Sequence, residues 1–509
     1  MRYRECAASR PTPHASISSM AMPPTLTGSP TIADERDPLG LAADAPLLRA
    51  WLDCLDRNEA GEHSFHTPGH KGSTALTGTV VAGDHPLAGG LDTVKLRHDW
   101  LGEAEARAAV LWGADLCKFS VGGSTHCNQA LALSVGAPGD VVIVARTLHR
   151  SLLLGLVLAG LEPVWVEPEV DPAIGLPTGY APERVADSLA AHPEAVAVFL
   201  SDPSYVGTYS DVAAHARVAH AAGVPLVVDA AWAAHFGFHP ALPPHALAAG
   251  ADAMITSAHK TLPAYSQAAL LLARTERLGT NRLVRSFEAL HTTSPAGTIM
   301  ASIDAARALL ERDGEALLSR TIDAVADARA RLEQVPGVRV LAGPGMDPAK
   351  LTVSVAGTGA HGVTIESDLI AAGVPVEMAD RDTIVALATI ADEPAVLDRF
   401  ASALIEAVEQ RRDVPRHDLG AAGWIVHPQQ RVSPRQAFFA AAETVAFADA
   451  PGRVSAELVA LYPPGVPVLA PGELVTLEAL AALAAARADG VRIAYAADPT
   501  LATLEVLAG

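Results

Sequence analysis

Cysteine is scarce in this chain: Cys6, Cys54, Cys117 and Cys127 are the only four in 509 residues, with no CxxC pair. That excludes a disulfide framework and points to a reducing compartment. Charged residues are also few, at 18%, and their balance is acidic, with a formal net charge of −20. A surface of that sign argues against nucleic acid and anionic membranes as partners and suits a cationic substrate. Long apolar runs are missing. The longest, around Ser151 to Leu161, is too short to span a bilayer. The N-terminus has no apolar core of a signal peptide, so a cytoplasmic location is expected. Residues 1–44, rich in Ser, Pro, Thr and Ala, are expected to be a disordered tail, with Met20 or Met22 as alternative starts. The 19 histidines invite a metal reading, but HExxH is absent. His66 and His70 are separated by Pro68 and Gly69, which break the helix that would align them. No metal is expected.

What the sequence does have is length and apolar mass. At 509 residues and 50% hydrophobic, two or three domains with a large core are expected. From about 105 to 275, apolar runs alternate with alanine-rich amphipathic stretches. Asp140–Ala145, Glu162–Val166, Ala195–Leu200, Pro225–Asp229, Ala253–Thr256 and Gln267–Leu272 read as strands. Helices are expected between them, over 151–160, 182–191 and 212–222. Apolar strands joined by helices predict a mainly parallel sheet covered on both faces. Residues 280–335 are strongly helical. A smaller α/β portion follows, with strand candidates Val338–Leu341, Lys350–Val355, Val374–Met378 and Thr383–Leu387. A polar break at 411–417 precedes the last segment. The expected division is a tail over 1–44, a major domain over 45–335, a small α/β domain over 336–412 and a C-terminal segment over 413–509.

In a parallel sheet of this kind, ligands bind beyond the carboxyl ends of the strands. Just past those ends lie His149, Asp202, Asp229 and the group Ser257, His259, Lys260. A lysine after a buried strand is costly unless neutralised, and forming an imine with an aldehyde cofactor neutralises it. Taken alone, Lys260 reads more readily as an ordinary loop lysine. Asp229 ends a fully apolar strand, where a protonated pyridine nitrogen would be a fitting partner for its carboxylate; a helix cap would need the same residue. Gly122-Gly123-Ser124-Thr125 opens a helix and suits a phosphate, which backbone N–H groups and the helix dipole can hold. His149 is placed to lie flat on a cofactor ring. The four features together describe one site.

Their order resembles the Orn/Lys/Arg decarboxylases of the fold-type-I pyridoxal-phosphate enzymes, in the short form without an N-terminal receiver-like domain. The matching stretches are SFHTPGHKGS (64–73), GGSTHCNQA (122–130), VDAAWAAHFGFHPALP (228–243), SAHKTLPAYSQ (257–267), HTTSPAGTIMASIDAAR (291–307), SPRQAF (433–438) and YPPGVPVLAPGE (462–473). The resemblance implies an α/β fold-type-I large domain with smaller α/β C-terminal parts, pyridoxal 5'-phosphate as cofactor, and decarboxylation of lysine, ornithine or arginine. It implies that Lys260 forms the imine, Asp229 pairs with the ring nitrogen and His149 stacks on the ring. Ser124, Thr125, Ser257 and His259 would surround the phosphate, with Trp232 beside the cofactor. Thr293 and Ser294 would reach the phosphate of a neighbouring subunit, implying a homodimer or larger homo-oligomer with shared sites. Three positions depart from the family pattern. The usual DEAHGAH reads DAAWAAH (229–235), the usual TSPxY tyrosine is Gly297, and a TELPGLDDL-like segment is replaced over Leu91–Ala106. An aminotransferase, another lyase or a non-catalytic homologue remain alternatives.

Overall fold

The apolar runs of the first half of the chain lie side by side in one seven-stranded sheet. The structure is a computed structural model that describes residues 35–62, 65, 67–71, 73–87, 91, 100–171, 175–416, 426, 428–462 and 465–509. Most of the expected tail, His66 and positions 92–99 of the departing segment lie outside the described residues. The strands are β1 Leu116–Ser120, β2 Val141–Ala145 and β3 Glu162–Val166. After a short hairpin of β4 Glu169–Val170 and β5 Pro177–Gly179 come β6 Val198–Ser201, β7 Leu226–Asp229, β8 Ala253–Thr256 and β9 Ala269–Ala273. The sheet order is β1-β9-β8-β7-β6-β2-β3. The pairings from β3 across to β8 are parallel, and β9 runs against both its neighbours. This is the mainly parallel α/β sheet that the alternating runs predict.

Alternation along each strand builds two cores. Ile143, Leu226 and Val228 belong to one apolar cluster, while Val142, Val144 and Val227 belong to another. Successive side chains point to opposite faces, so unbroken apolar strands such as β2 and β9 fill both sides. The helices of this part are α1 Pro46–Glu59, α2 Trp100–Leu111, α3 Gly123–Val135, α4 Arg150–Ala159, α5 Pro182–Ala191, α6 Val212–Ala221, the short α7 Ala258–Thr261, α8 Thr280–Leu290 and α9 Gly297–Leu332. Local chemistry sets their ends. The side chain of Asp211 accepts Ala214 N–H at the start of α6, and Gly160, at φ 74°, stops α4 in the left-handed region. Pro295, two residues before α9, separates it from α8. β1 escaped the sequence reading because it is an edge strand carrying a charge. Its Lys118 pairs with Glu105 at 2.7 Å.

A four-stranded antiparallel sheet follows, in the order β10-β11-β13-β12, formed by β10 Arg339–Val340, β11 Lys350–Ser354, β12 Met378–Ala379 and β13 Thr383–Leu387. With α10 Gly362–Ala371, α11 Pro394–Gln410 and the C-terminal part of α9 it encloses its own core. The strand expected over Val374–Met378 is reduced to Met378–Ala379, because Pro375 has no N–H to give a ladder. The last segment holds α12 Pro434–Phe439, β14 Ala442–Ala446, β15 Val459–Tyr462, β16 Val466–Leu469, α13 Leu477–Ala488, β17 Arg492–Ala494 and β18 Thr503–Leu507, around a further apolar cluster. Among the described residues, no helix is long and apolar enough to cross a membrane.

Candidate active site

The carboxyl ends of β2, β6, β7 and β8 open onto a cavity of about 590 Å3. Its walls include every residue that the sequence singled out for the cofactor of its own subunit: Ser124, Thr125, His149, Asp229, Trp232, Ser257, His259 and Lys260. Ser124 and Thr125 lie in the first turn of α3. The turn before them needs glycine: Gly123 has φ +67°, and a Cβ on Gly122 would sit 2.9 Å from His126 Cβ. His149 caps α4, Asp229 ends β7, and Lys260 lies in α7 immediately after β8. Asp202, expected at the same edge, is turned into the protein instead. It accepts Ser210 N–H at 2.6 Å, and burial pushes its carboxyl up to about 7.

Asp229 is held by a buried network that its sequence neighbours do not reveal. Asn128 Nδ2 donates to Asp229 Oδ2 at 2.7 Å and to Ser151 Oγ at 2.9 Å. Ser151 then has its hydroxyl hydrogen free for His149 Nδ1, 2.7 Å away, and Ser151 N–H donates to the same nitrogen. With Nδ1 accepting, the neutral imidazole carries its proton on Nε2. Burial lowers the His149 pKa, with Asp229 opposing and Lys260 reinforcing, which favours that neutral form. Burial lowers the pKa of Lys260 too, against the pull of Asp229 and Glu377. A lowered pKa raises the fraction of free amine, the form that attacks a carbonyl.

One part of the cavity suits an anion. Ser124 Oγ and Ser257 Oγ are 2.7 Å apart at the start of α3, whose N-terminal amides lack helical partners. Ser201 Oγ lines the cavity, buried and without a hydrogen-bond partner, beside Asp229 in the sheet register. An unpartnered hydroxyl at that place fits a polar ring substituent. An anion cradle, an amine, a buried carboxylate and an orphaned hydroxyl around one space match the groups of a phosphorylated pyridine aldehyde. Among the described residues, no arginine lines the cavity.

Sequence reasoning missed several contributors. Asn128 and Ser151 carry no signal of their own at their places in α3 and α4. Tyr205 lines the cavity and donates to Glu377 at 2.9 Å, and Val466 reaches it from β16. Lys350 opens β11 with a fully buried pattern, and the signal that singled out Lys260, a lysine beside a buried strand, was there to be read. Arg146, buried at the end of β2, holds the C-terminal segment against the site. It bonds Glu473 at 2.6 and 3.0 Å, with both side chains almost wholly enclosed.

Two departures from the family pattern meet in space. A Cβ on Gly297 would fall 2.3 Å from Leu91 Cδ1 and 2.5 Å from the His85 carbonyl oxygen, which itself accepts Gly297 N–H at 2.8 Å. No side chain fits there. Thr293 and Ser294 are exposed between α8 and α9 and do not line the cavity of their own chain.

Residues 45–342 match the family described as Orn/Lys/Arg decarboxylase, major domain, and residues 421–488 match its C-terminal domain. The arginine decarboxylase of Halalkalibacterium halodurans is 32% identical over 465 residues, covering 87% of this chain and 94% of that protein. The arginine decarboxylase of Bacillus subtilis is 31% identical over 462 residues, with the same shares of 87% and 94%. Among solved structures, the lysine decarboxylase LdcF of Francisella novicida superposes with a TM-score of 0.77 at 19% identity, over 91% of this chain and 81% of its own.

Proposed function

Since the chain belongs to the Orn/Lys/Arg decarboxylase family, we propose that it is a pyridoxal-phosphate-dependent decarboxylase of a basic amino acid, with arginine as the favoured substrate. The observation that carries this reading is the meeting of Lys260, Asp229 and the Ser124–Ser257 cradle around one cavity. When bound, the cofactor supplies an aldehyde and a conjugated ring that takes up the electron pair of the breaking carbon–carboxylate bond. The chain's own residues do the rest. Ser124, Thr125, Ser257 and His259 hold the phosphate at the start of α3. Asp229 accepts the hydrogen bond of a ring N–H, and Asn128 keeps its carboxylate aimed. His149 would face the ring as a neutral imidazole with Nε2–H available. Lys260 provides the amine.

Two features support a basic substrate and loss of its carboxylate. Glu377, held by Tyr205, brings negative charge to the cavity side that Lys260 senses, where the distal cation of a substrate gains most. The cavity lining, as described, has no arginine to grip the α-carboxylate, the group an aminotransferase must retain. Arginine is placed ahead of lysine because the two relatives described above, at 32% and 31% identity, are both named for it. The active unit is read as a homodimer in which Thr293 and Ser294 complete the partner's cradle. The test is incubation of the purified protein with arginine, lysine and ornithine, and identification of the amine formed. Agmatine is expected. Borohydride reduction should fix the cofactor on the peptide containing Lys260, and a label on another lysine would refute the site.

A further inference from the structure

A second lysine shares a wall with Lys260. Lys350 Nζ lies 4.1 Å from the centroid of the Trp232 indole, and Lys260 Nζ lies 3.9 Å from the same centroid. The two nitrogens are therefore at most about 8 Å apart, within one Debye length of roughly 8 Å at physiological salt. Lys350 is only 3% exposed, so its side of the gap is protein rather than water. Its Nζ is buried with no hydrogen-bond partner in the structure. Two aromatic faces lie against it, the Trp232 ring and that of Tyr205 at 5.6 Å.

The chain has been shaped around this side chain. The turn before Tyr209 runs across the lysine stem, and a Cβ on Gly207 (φ +94°) would lie 2.7 Å from Lys350 Cγ. Arg329 bonds the Lys350 carbonyl, and the nearby carboxylate of Asp347 is occupied by His235 at 3.1 Å and by Ala349 N–H. An ammonium enclosed without an acceptor carries a heavy desolvation penalty. A methionine would fill the same space without it.

We propose that Lys350 is a positioning residue for Lys260: by sharing the Trp232 indole, the two amines exclude full positive charge from each other, and Lys350 thereby keeps Lys260 available as a free amine. This rests on the reading of Lys260 as the residue that captures the cofactor. Capture needs the nitrogen lone pair. The Lys260 nitrogen bonds to the aldehyde carbon, and the aldehyde oxygen leaves as water with the two amine hydrogens. A protonated Lys260 cannot begin this step. The groups around the pair are few. Asp347 and Glu377 draw a proton onto Lys350 while Lys260 repels it, and burial holds its pKa down to about 8. Asp229 and Glu377 draw a proton onto Lys260, with His149 and His259 close by and their own pKa values lowered.

The experiment follows capture of pyridoxal 5'-phosphate by apoprotein, read as the visible absorbance of the new C=N bond between pH 6 and 10. Wild type, Lys350→Met and Lys350→Arg are compared after thermal melts confirm that each is folded. Removing the second charge should let Lys260 hold its proton longer. The midpoint for capture in Lys350→Met should rise by about one pH unit, or roughly tenfold slower capture at a fixed pH below the midpoint. Lys350→Arg stays charged throughout, so its midpoint should not exceed that of wild type. An unmoved midpoint in Lys350→Met, or a rise in both variants, overturns the proposal. If the methionine chain does not fold, the arginine chain decides alone: a midpoint above wild type sinks the idea, and one at or below it sustains it. Lys260→Ala is the separate control for the underlying reading. Capture that persists in it dismisses Lys260 as the cofactor lysine, whatever Lys350 does.

Discussion

Asn128 Nδ2 stands 2.7 Å from Asp229 Oδ2, joining the start of α3 to the end of β7 beneath the cavity. The same amide serves Ser151, so one side chain fixes the carboxylate and, through the hydroxyl, the ring of His149. Asp229→Asn would place two amides face to face and leave nothing able to keep a pyridine nitrogen protonated. The fold should survive, while kcat with the preferred amino acid should fall by several orders of magnitude. Retention of bound cofactor together with more than about a tenth of the rate, a barrier change under ~1.4 kcal/mol, would show that the role is misassigned.

Asp202 gives the protein a pH dependence of its own. Its folded-state pKa, about 7, lies above the unfolded value near 3.9. The folded chain therefore binds the extra proton between those values. The contribution to stability is fully present below about pH 4 and is lost as the pH rises through about 7. Asp202→Asn retains an oxygen for Ser210 N–H without a charge to desolvate. Thermal melts of the two chains should coincide near pH 4 and separate by a few degrees at pH 8, the asparagine chain melting later. Equal separation at both pH values would remove Asp202 as the cause.

The Arg146–Glu473 pair is enclosed on all sides, and removing one partner strands the other's charge. Arg146→Met should cost about 3–5 kcal/mol, measured by urea unfolding, and loosen the β16 segment that brings Val466 to the cavity. Adding Glu473→Leu should recover most of that loss. A single variant as stable as wild type would mean that the pair contributes nothing net.

Assembly can be read through cofactor occupancy. If Thr293 and Ser294 complete a partner's phosphate cradle, dissociation leaves half-built sites and binding is linked to association. Dilution should lower occupancy and activity together, and added pyridoxal phosphate should restore the dimer in sedimentation experiments. A fully active monomer at nanomolar concentration would end the shared-site reading.

Legibility in the sequence followed the period of the signal. β2 and β7 announce themselves by unbroken apolar runs, and with them came His149, past the end of β2, and Asp229, the last residue of β7. α7 is too short to show a period, yet the strand before it pointed to Lys260. What stayed hidden depends on distant partners. Asn128 acquires its meaning only when α3 packs over β7, and Lys350 only when β11 is brought behind Trp232. β1 was lost because an edge strand tolerates a lysine. Pro375 truncated a strand that its valines had suggested.

The enclosure of Gly297 by Leu91 and His85 has a consequence for anyone building chimaeras within the family. The usual tyrosine cannot be returned to position 297 alone, since its first carbon already collides with Leu91 and with the His85 carbonyl. Nor does exchanging the Leu91–Ala106 segment by itself clear the way, because the carbonyl of His85 lies outside it. The transferable module is the stretch from before His85 through Ala106 together with the start of α9, and a graft that respects those seams keeps lock and key from the same parent.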